Sequence, residues 1–158
     1  MGRASILRQV AITPDGRWAI VAGLVSHDET PPLQIERGWI NSNGFTVLDL
    51  TRPGHRVTLL LDRLLAGASN PWGVALSADQ QRLYVSLTGV HEVALVDLPA
   101  ALRLVGETTS EQVKPLENVE ILEQRKIARR VPAGGLGPRG LALNEARGEL
   151  LAANFFSD

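Results

Sequence analysis

The chain contains no cysteine among its 158 residues. Disulfides, thiolate metal sites and covalent attachment of c-type haem are therefore excluded within these residues. No apolar run reaches the ~18 residues needed to cross a bilayer. The opening MGRASILRQV has neither the long apolar core nor the small-residue cleavage site of a signal peptide. Lys and Arg number 16 against 17 Asp and Glu, and the net charge of −1 provides no broad basic field for nucleic acid.

A unit of two apolar strands joined by a short polar turn occurs three times, at residues 10 to 22, 74 to 87 and 141 to 154. Ala11, Ala75 and Ala142 are in register, 64 and 67 residues apart. Self-similarity at a nearly fixed period indicates a repeat architecture, because one such unit cannot bury its apolar face alone.

Ten runs rich in Val, Ile and Leu predict strands. They lie at residues 8 to 13, 17 to 24, 44 to 50, 56 to 61, 73 to 77, 82 to 88, 92 to 98, 126 to 131, 139 to 144 and 149 to 154. Residues 99 to 105 predict a short helix with Pro99 at its first position. Residues 62 to 66 predict one helical turn, and residues 106 to 124 an inserted loop with some helix.

The strands group in fours. GFTVLDL and EVALVDL are the third strands of the first two copies and end alike, and a fourth strand follows each. Four antiparallel strands per repeat are typical of a propeller blade. We therefore predict an all-β fold, a partial β-propeller of about two and a half blades with short helical insertions. It forms a single domain with blade 1 at about 7–61, blade 2 at about 70–131 and a half blade at about 137–158.

The runs NPWGVALSADQQRLYVSLTGVHEVALVDLPA and GPRGLALNEARGELLAANFFSD resemble the Tyr-Val-Thr-Asn (YVTN) type of bacterial propeller repeat. The resemblance rests on P-x-G at Pro71 and Gly73, on the run Leu83-Tyr84-Val85-Ser86 and on Val96-Asp97. It is closest to the subset found beside di-haem peroxidase-like cytochrome domains. The resemblance implies a periplasmic or extracellular protein and a cytochrome-type partner domain. It places no haem in this chain, which has no CxxCH.

A closed propeller usually has about 4 to 8 blades. An incomplete set leaves unpaired strand edges, so the remaining blades are expected from a longer protein or from another copy of the chain.

Loops at one end of a propeller carry most of its functions, and the predicted topology brings several polar residues to one end. Trp72 and Arg139 occupy the x of P-x-G, where an indole face and a guanidinium suit an anionic or planar ligand. Asn70, His91 and Asn154 are further candidate ligand-binding residues at the same end of the propeller, at the mouth of its central channel. The alternative is that Trp72 packs between blades and Arg139 pairs with a carboxylate.

A divalent metal site is a second hypothesis, since imidazole and carboxylate groups are suitable ligands. Its candidate ligands are His27, Asp28, Glu36 and His91. No spacing among them is diagnostic, and solvated loop polarity is the alternative. The basic run Arg125, Lys126, Arg129 and Arg130 is predicted to be the charged solvent face of an outer strand.

No nucleophilic motif, phosphate loop or H-E-x-x-H is present. The predicted function is a non-catalytic binding or docking module of an exported bacterial protein that supports a redox partner domain, with no cofactor in this chain. The alternatives are a fragment of a propeller enzyme, either lactonase-like or a metal-dependent hydrolase, and a self-assembling partial propeller.

Overall fold

The computed structural model describes residues 3–26, 41–109 and 120–157. Strands dominate these residues, and every strand pairing is antiparallel. No helix in these ranges is long and apolar enough to cross a membrane. The elements are β1 (Arg3–Ser5), β2 (Val10–Ile12), β3 (Trp18–Ser26), β4 (Asn41–Asp49), β5 (Arg56–Leu60), β6 (Pro71–Leu76), β7 (Arg82–Leu87), a 3₁₀ turn (Thr88–Val90), β8 (Glu92–Asp97), α1 (Leu98–Glu107), α2 (Ile121–Gln124), β9 (Ala128–Pro132), β10 (Pro138–Asn144) and β11 (Glu149–Asn154).

The strands form two larger sheets and one hairpin. The first sheet has the order β1-β3-β4-β5, with β2 also paired to β3. The second has the order β6-β7-β8-β9, and β10 and β11 form the hairpin. The edge strands β2, β6 and β10 are neighbours in space, so the three units stack along one another.

The core lies between the first and second sheets. Alternate residues of the first sheet point towards it: Ile20 pairs with Val47, which pairs with Val57, and Phe45 pairs with Leu59. The facing rows of the second sheet contain Leu83, Val85, Leu87 and Val96, all of them fully buried. Leu98, Ala101 and Val105 of α1 complete the cluster. Each fully buried Val, Leu, Ile or Phe side chain contributes on the order of 1.5–3 kcal/mol of burial free energy.

The turns of the first two copies are built alike. The Thr13 hydroxyl donates to Asp15 over 2.6 Å, and the Ser77 hydroxyl donates to Asp79 over the same distance. These side-chain hydrogen bonds, together with backbone N–H donors, lower the pKa values of both aspartates. The third copy replaces the aspartate with Ala146, and its Glu145 instead accepts from the backbone N–H of Ala78 in the second sheet over 2.7 Å.

The backbones of the second sheet and the hairpin lie very close together, and hydroxyl side chains bridge them. The Ser86 hydroxyl accepts from the N–H of Gly73 over 2.7 Å and donates to the carbonyl of Arg139 over 2.8 Å. The Thr88 hydroxyl donates to the carbonyl of Pro138 over 2.8 Å. Gly73 permits this approach, because a Cβ there would stand 2.0 Å from the Arg139 carbonyl oxygen.

The first and second sheets are joined by side chains that bond to backbone. Gln9 donates to the carbonyl of Val74 over 3.1 Å and accepts from its N–H over 3.2 Å. On the outer strand of the second sheet, Arg130 donates to the carbonyls of Ala66 and Gly67, in the loop between β5 and β6, over 2.8 Å and 3.0 Å, and it pairs with Glu92.

The strand predictions are confirmed, and the predicted helix at 99 to 105 is α1. The short polar strand β1 was missed because RAS carries no apolar alternation. Residues 62 to 66 do not form a helical turn; Arg63 and Ala66 form an isolated β-bridge and Leu65 has φ of 75°.

The solvent-face prediction is wrong for Arg130, whose side chain is only 6% exposed. It lies in one row with Ala94 and Val85 on the core face of the sheet, so its charge is buried against Glu92 and backbone carbonyls.

The all-β class is confirmed, but the predicted propeller is not supported. The described residues form two sheets and a hairpin stacked on one another, and these do not close into a ring. Four-stranded antiparallel grouping is a local property of pairing, and it does not by itself dictate a radial arrangement.

Replacing Gly73 with Ala is expected to lower the free energy of unfolding by about 2–3 kcal/mol, because the new methyl group meets backbone that cannot move alone. Gly140→Ala is the matched control on the neighbouring strand, where a Cβ would stand 3.6 Å from Ala153, at ordinary contact distance. Urea unfolding of both variants tests the prediction, and equal midpoints would contradict the close backbone approach.

Asp49 makes stability depend on pH. Burial raises its pKa, but hydrogen bonds from Thr51 and Arg52 outweigh burial and hold the pKa well below its usual range. The carboxylate therefore stabilises the fold above the unfolded-state pKa of about 3.9, and this contribution is lost as pH falls below it. In urea unfolding between pH 6 and pH 3, wild type should lose more stability than Asp49→Asn. Parallel losses in the two proteins would show that another group is responsible.

Candidate functional site

Four side chains from all three units stack at the neighbouring edges of the sheets. The guanidinium carbon of Arg8 lies 4.0 Å from the ring centroid of Trp72, and that of Arg139 lies 4.3 Å from it. Arg139 also lies 3.5 Å from the ring centroid of Phe155. We call Arg8, Trp72, Arg139 and Phe155 the Arg–aromatic stack. The contacts are cation–π interactions, each worth about 0.5–2 kcal/mol depending on desolvation.

Local structure explains how the stack assembles. Trp72 is on β6 and Arg139 on β10, the two strands held together by Ser86 and Gly73. Arg8 precedes β2, where its backbone N–H donates to Ala22, and Phe155 directly follows β11. The stack therefore depends on the packing of three separate units, and none of its contacts is local in sequence.

The two arginines of the stack form no ion pair within the described ranges. Five other arginines do pair with carboxylates there: Arg17, Arg52, Arg63, Arg130 and Arg147. Among the residues that the structure describes, no carboxylate pairs with Arg139. Trp72 is half-buried, and two guanidinium groups lie over its ring.

Stacking uses the faces of a guanidinium and leaves its N–H edge available. Arginine presents five N–H donors in one plane, a geometry that matches the two oxygens of a carboxylate or phosphate. Two such groups on one indole therefore form a small cationic, aromatic surface that suits an anionic or planar partner, as the sequence predicts for Trp72 and Arg139.

Asn154 lies beside this surface, opposite a bulge. It pairs with Pro138 in the hairpin register, which shifts between Pro138 and Gly140 and so accommodates Arg139. The Nε of Arg139 and the Oδ1 of Asn154 are both buried and lack a hydrogen-bond partner. An unsatisfied buried polar atom costs about 1–3 kcal/mol, so the bulge that positions Arg139 carries a cost in stability.

Asn70 and His91 have structural roles. Asn70 adopts φ of 61°, and its N–H donates to the Asn43 side chain over 3.1 Å. His91 also adopts φ of 61°, and its Nδ1 accepts from the N–H of Gly137 over 3.0 Å. Both residues fix the loops beside the stack and are not part of it.

The metal hypothesis gains no geometric support from His91. No group of three or more His, Cys, Asp or Glu able to hold a metal ion is found among the residues that the structure describes. His27, Asp28 and Glu36 fall outside those residues. A metal site that uses them stays a prediction, as does the absence of a cofactor.

Sequence reasoning missed Arg8 and Phe155. Arg8, Trp72 and Arg139 each stand three positions before the in-register alanine of their copy, so alignment of the copies contains the signal for Arg8. Phe155 follows the last strand and has no equivalent signal.

No family model matches the chain. It is 32% identical over 155 residues to the hydrazine synthase subunit beta of Kuenenia stuttgartiensis, a match that covers 98% of this chain and 40% of that protein. The solved structure of Kuenenia stuttgartiensis hydrazine synthase superposes with a TM-score of 0.79 at 27% identity, covering 98% of this chain and 47% of that chain. The chain thus spans less than half the length of the proteins it matches.

These matches overturn the resemblance to the Tyr-Val-Thr-Asn repeat family, which nothing in the comparisons supports. The residues that carried it have local explanations. Gly73 allows close backbone approach, Ser86 bridges two strands, and Asp97 accepts from the N–H of Ala100 at the start of α1. Export and a cytochrome-type partner domain followed from that resemblance and stay predictions.

His91→Ala is expected to lower the free energy of unfolding by about 1–2 kcal/mol, since the N–H of Gly137 loses its acceptor. His91→Gly removes the same acceptor but relieves the left-handed backbone, which isolates the hydrogen bond. Thermal unfolding with and without Zn²⁺ is the measurement. A Zn²⁺-dependent rise in Tm that His91→Ala removes would contradict the structural role and favour a ligand role.

Proposed function

We propose that this chain is part of a subunit of a multi-subunit redox enzyme complex and serves there as a binding and docking module. The observation that carries the proposal is the similarity over nearly the whole chain to a protein described as subunit beta of hydrazine synthase. Agreement in structure at a TM-score of 0.79 supports the same relationship.

The structure favours docking as the contribution of the described residues. Their buried polar groups serve packing: Asp49 fixes a turn, Ser86 bridges two strands, and Arg130 holds the loop between β5 and β6. In contrast, the Arg–aromatic stack is reachable from solvent, since Arg8 is exposed and Phe155 is 59% exposed. Arginine and large aromatic residues are the types that most often dominate the binding energy of protein interfaces.

Other protein subunits are therefore the proposed partners. A stable interface of ordinary size buries about 800 Å² on each partner, so an interface centred on the Arg–aromatic stack includes residues around it. Supporting a redox partner domain is the finer role that we propose for this module.

The test uses this chain, immobilised, and the other subunits of the Kuenenia stuttgartiensis enzyme in solution. We expect saturable binding with Kd at or below about 10 μM, the range of transient to stable interfaces, measured by biolayer interferometry. An unrelated all-β protein of similar size, immobilised at the same density, is the control. No binding above this control at 100-fold higher concentration would refute the docking function.

A further inference from the structure

We propose that the Arg–aromatic stack binds an acidic peptide segment of another subunit. Carboxylates of that segment lie against the guanidinium groups of Arg8 and Arg139, beside the hairpin. This inference rests on the proposed docking function and specifies which surface docks and what chemistry it recognises.

Charge complementarity is the first argument. Two guanidinium groups are held on the same indole, 4.0 Å and 4.3 Å from its centroid, and neither is neutralised by a carboxylate of the described residues. Two cations near one ring repel each other, and an anion bound at their edges relieves this repulsion. The guanidinium fork favours a carboxylate because two parallel N–H···O bonds form at once.

The surroundings are the second argument, and they favour a peptide over a free anion. Phe155 is 59% exposed and Phe156 61% exposed, and the two rings meet edge to face with centroids 5.0 Å apart. Leu136 beside them is 48% exposed. The segment therefore meets an apolar rim as well as the cations, and covering this rim excludes water and strengthens the charged contacts.

The overall charge of the chain limits the alternatives. With a net charge of −1 the protein does not attract polyanions at long range. Nucleic acid needs several spaced phosphate contacts, whereas the stack presents two arginines. A short acidic segment needs only two cationic contacts, the number that the stack presents.

The experiment compares wild type, Arg8→Gln, Arg139→Gln and Arg139→Lys, with Arg103→Gln as the matched control. Arg103 is an exposed arginine of α1 that takes no part in the stack or in the ion pairs of the described residues. Two probes are used: the other subunits of the Kuenenia stuttgartiensis enzyme, by biolayer interferometry, and a fluorescein-labelled ten-residue peptide of alternating Glu and Gly, by fluorescence anisotropy. The same peptide with Gln in place of Glu, and a ten-nucleotide DNA, are the ligand controls.

For both probes we expect Arg8→Gln and Arg139→Gln to weaken binding at least about 10-fold, the loss typical of one charge-assisted contact. Arg139→Lys should weaken it less, because the charge remains while the fork is lost. Arg103→Gln should bind within 2-fold of wild type, and the Gln peptide should bind at least 10-fold more weakly than the Glu peptide. Raising the salt concentration should weaken wild type more than Arg8→Gln.

If the subunits bind all variants equally, the docking function stands and this site is overturned. If the subunits do not bind wild type, the docking function fails, and the peptide alone decides whether the stack recognises carboxylates. Equal binding of the DNA and the Glu peptide would overturn the assignment to an acidic peptide. Should Arg139→Gln fail to fold by circular dichroism, the exposed Arg8→Gln alone decides the outcome.

Discussion

The buried hydroxyl of Ser86 is the contact on which the candidate site depends. It accepts from Gly73 and donates to the carbonyl of Arg139, so one side chain joins the edge strands of two units. A hydroxyl can serve both roles because it carries one donor and two acceptor sites. This bridge holds β10 against β6 and thereby brings the Arg139 guanidinium over Trp72. With any other residue than glycine at position 73, a Cβ would hold the two backbones apart, and the stack would not form.

The strand pattern of this chain is predictable because each strand alternates or is wholly apolar and each turn has its own signal. Ile20, Phe45 and Leu83 were placed in strands by this pattern, and they form the core. The charge of Arg130 argued for solvent exposure, but its register with Ala94 places it on the core face. Residue type indicates whether a side chain favours solvent or the core, whereas strand register decides which face of the sheet it lies on.

The candidate site is predictable only in part. Trp72 and Arg139 share one position of the repeat, and this position indicates a common location. The arrangement of the whole fold was not predictable in the same way, since four antiparallel strands per repeat are compatible with several ways of stacking sheets. The unsatisfied Nε of Arg139 and its contact with Phe155 depend on a bulge and on tertiary packing, which no local pattern encodes.

The hairpin supplies Arg139, Asn154 and Phe155, whereas Arg8 and Trp72 belong to the two larger sheets. The hairpin is attached to the second sheet by packing of its apolar face and by few hydrogen bonds. Ser86, Thr88 and Glu145 form three of these bonds. A unit held in this way opens locally at a lower free energy than the core beside it. A partner that bridges hairpin and sheets binds only the closed arrangement, so by mass action it suppresses this opening. The docking proposed above would therefore couple assembly to local folding, and the hairpin would be most rigid with its partner bound.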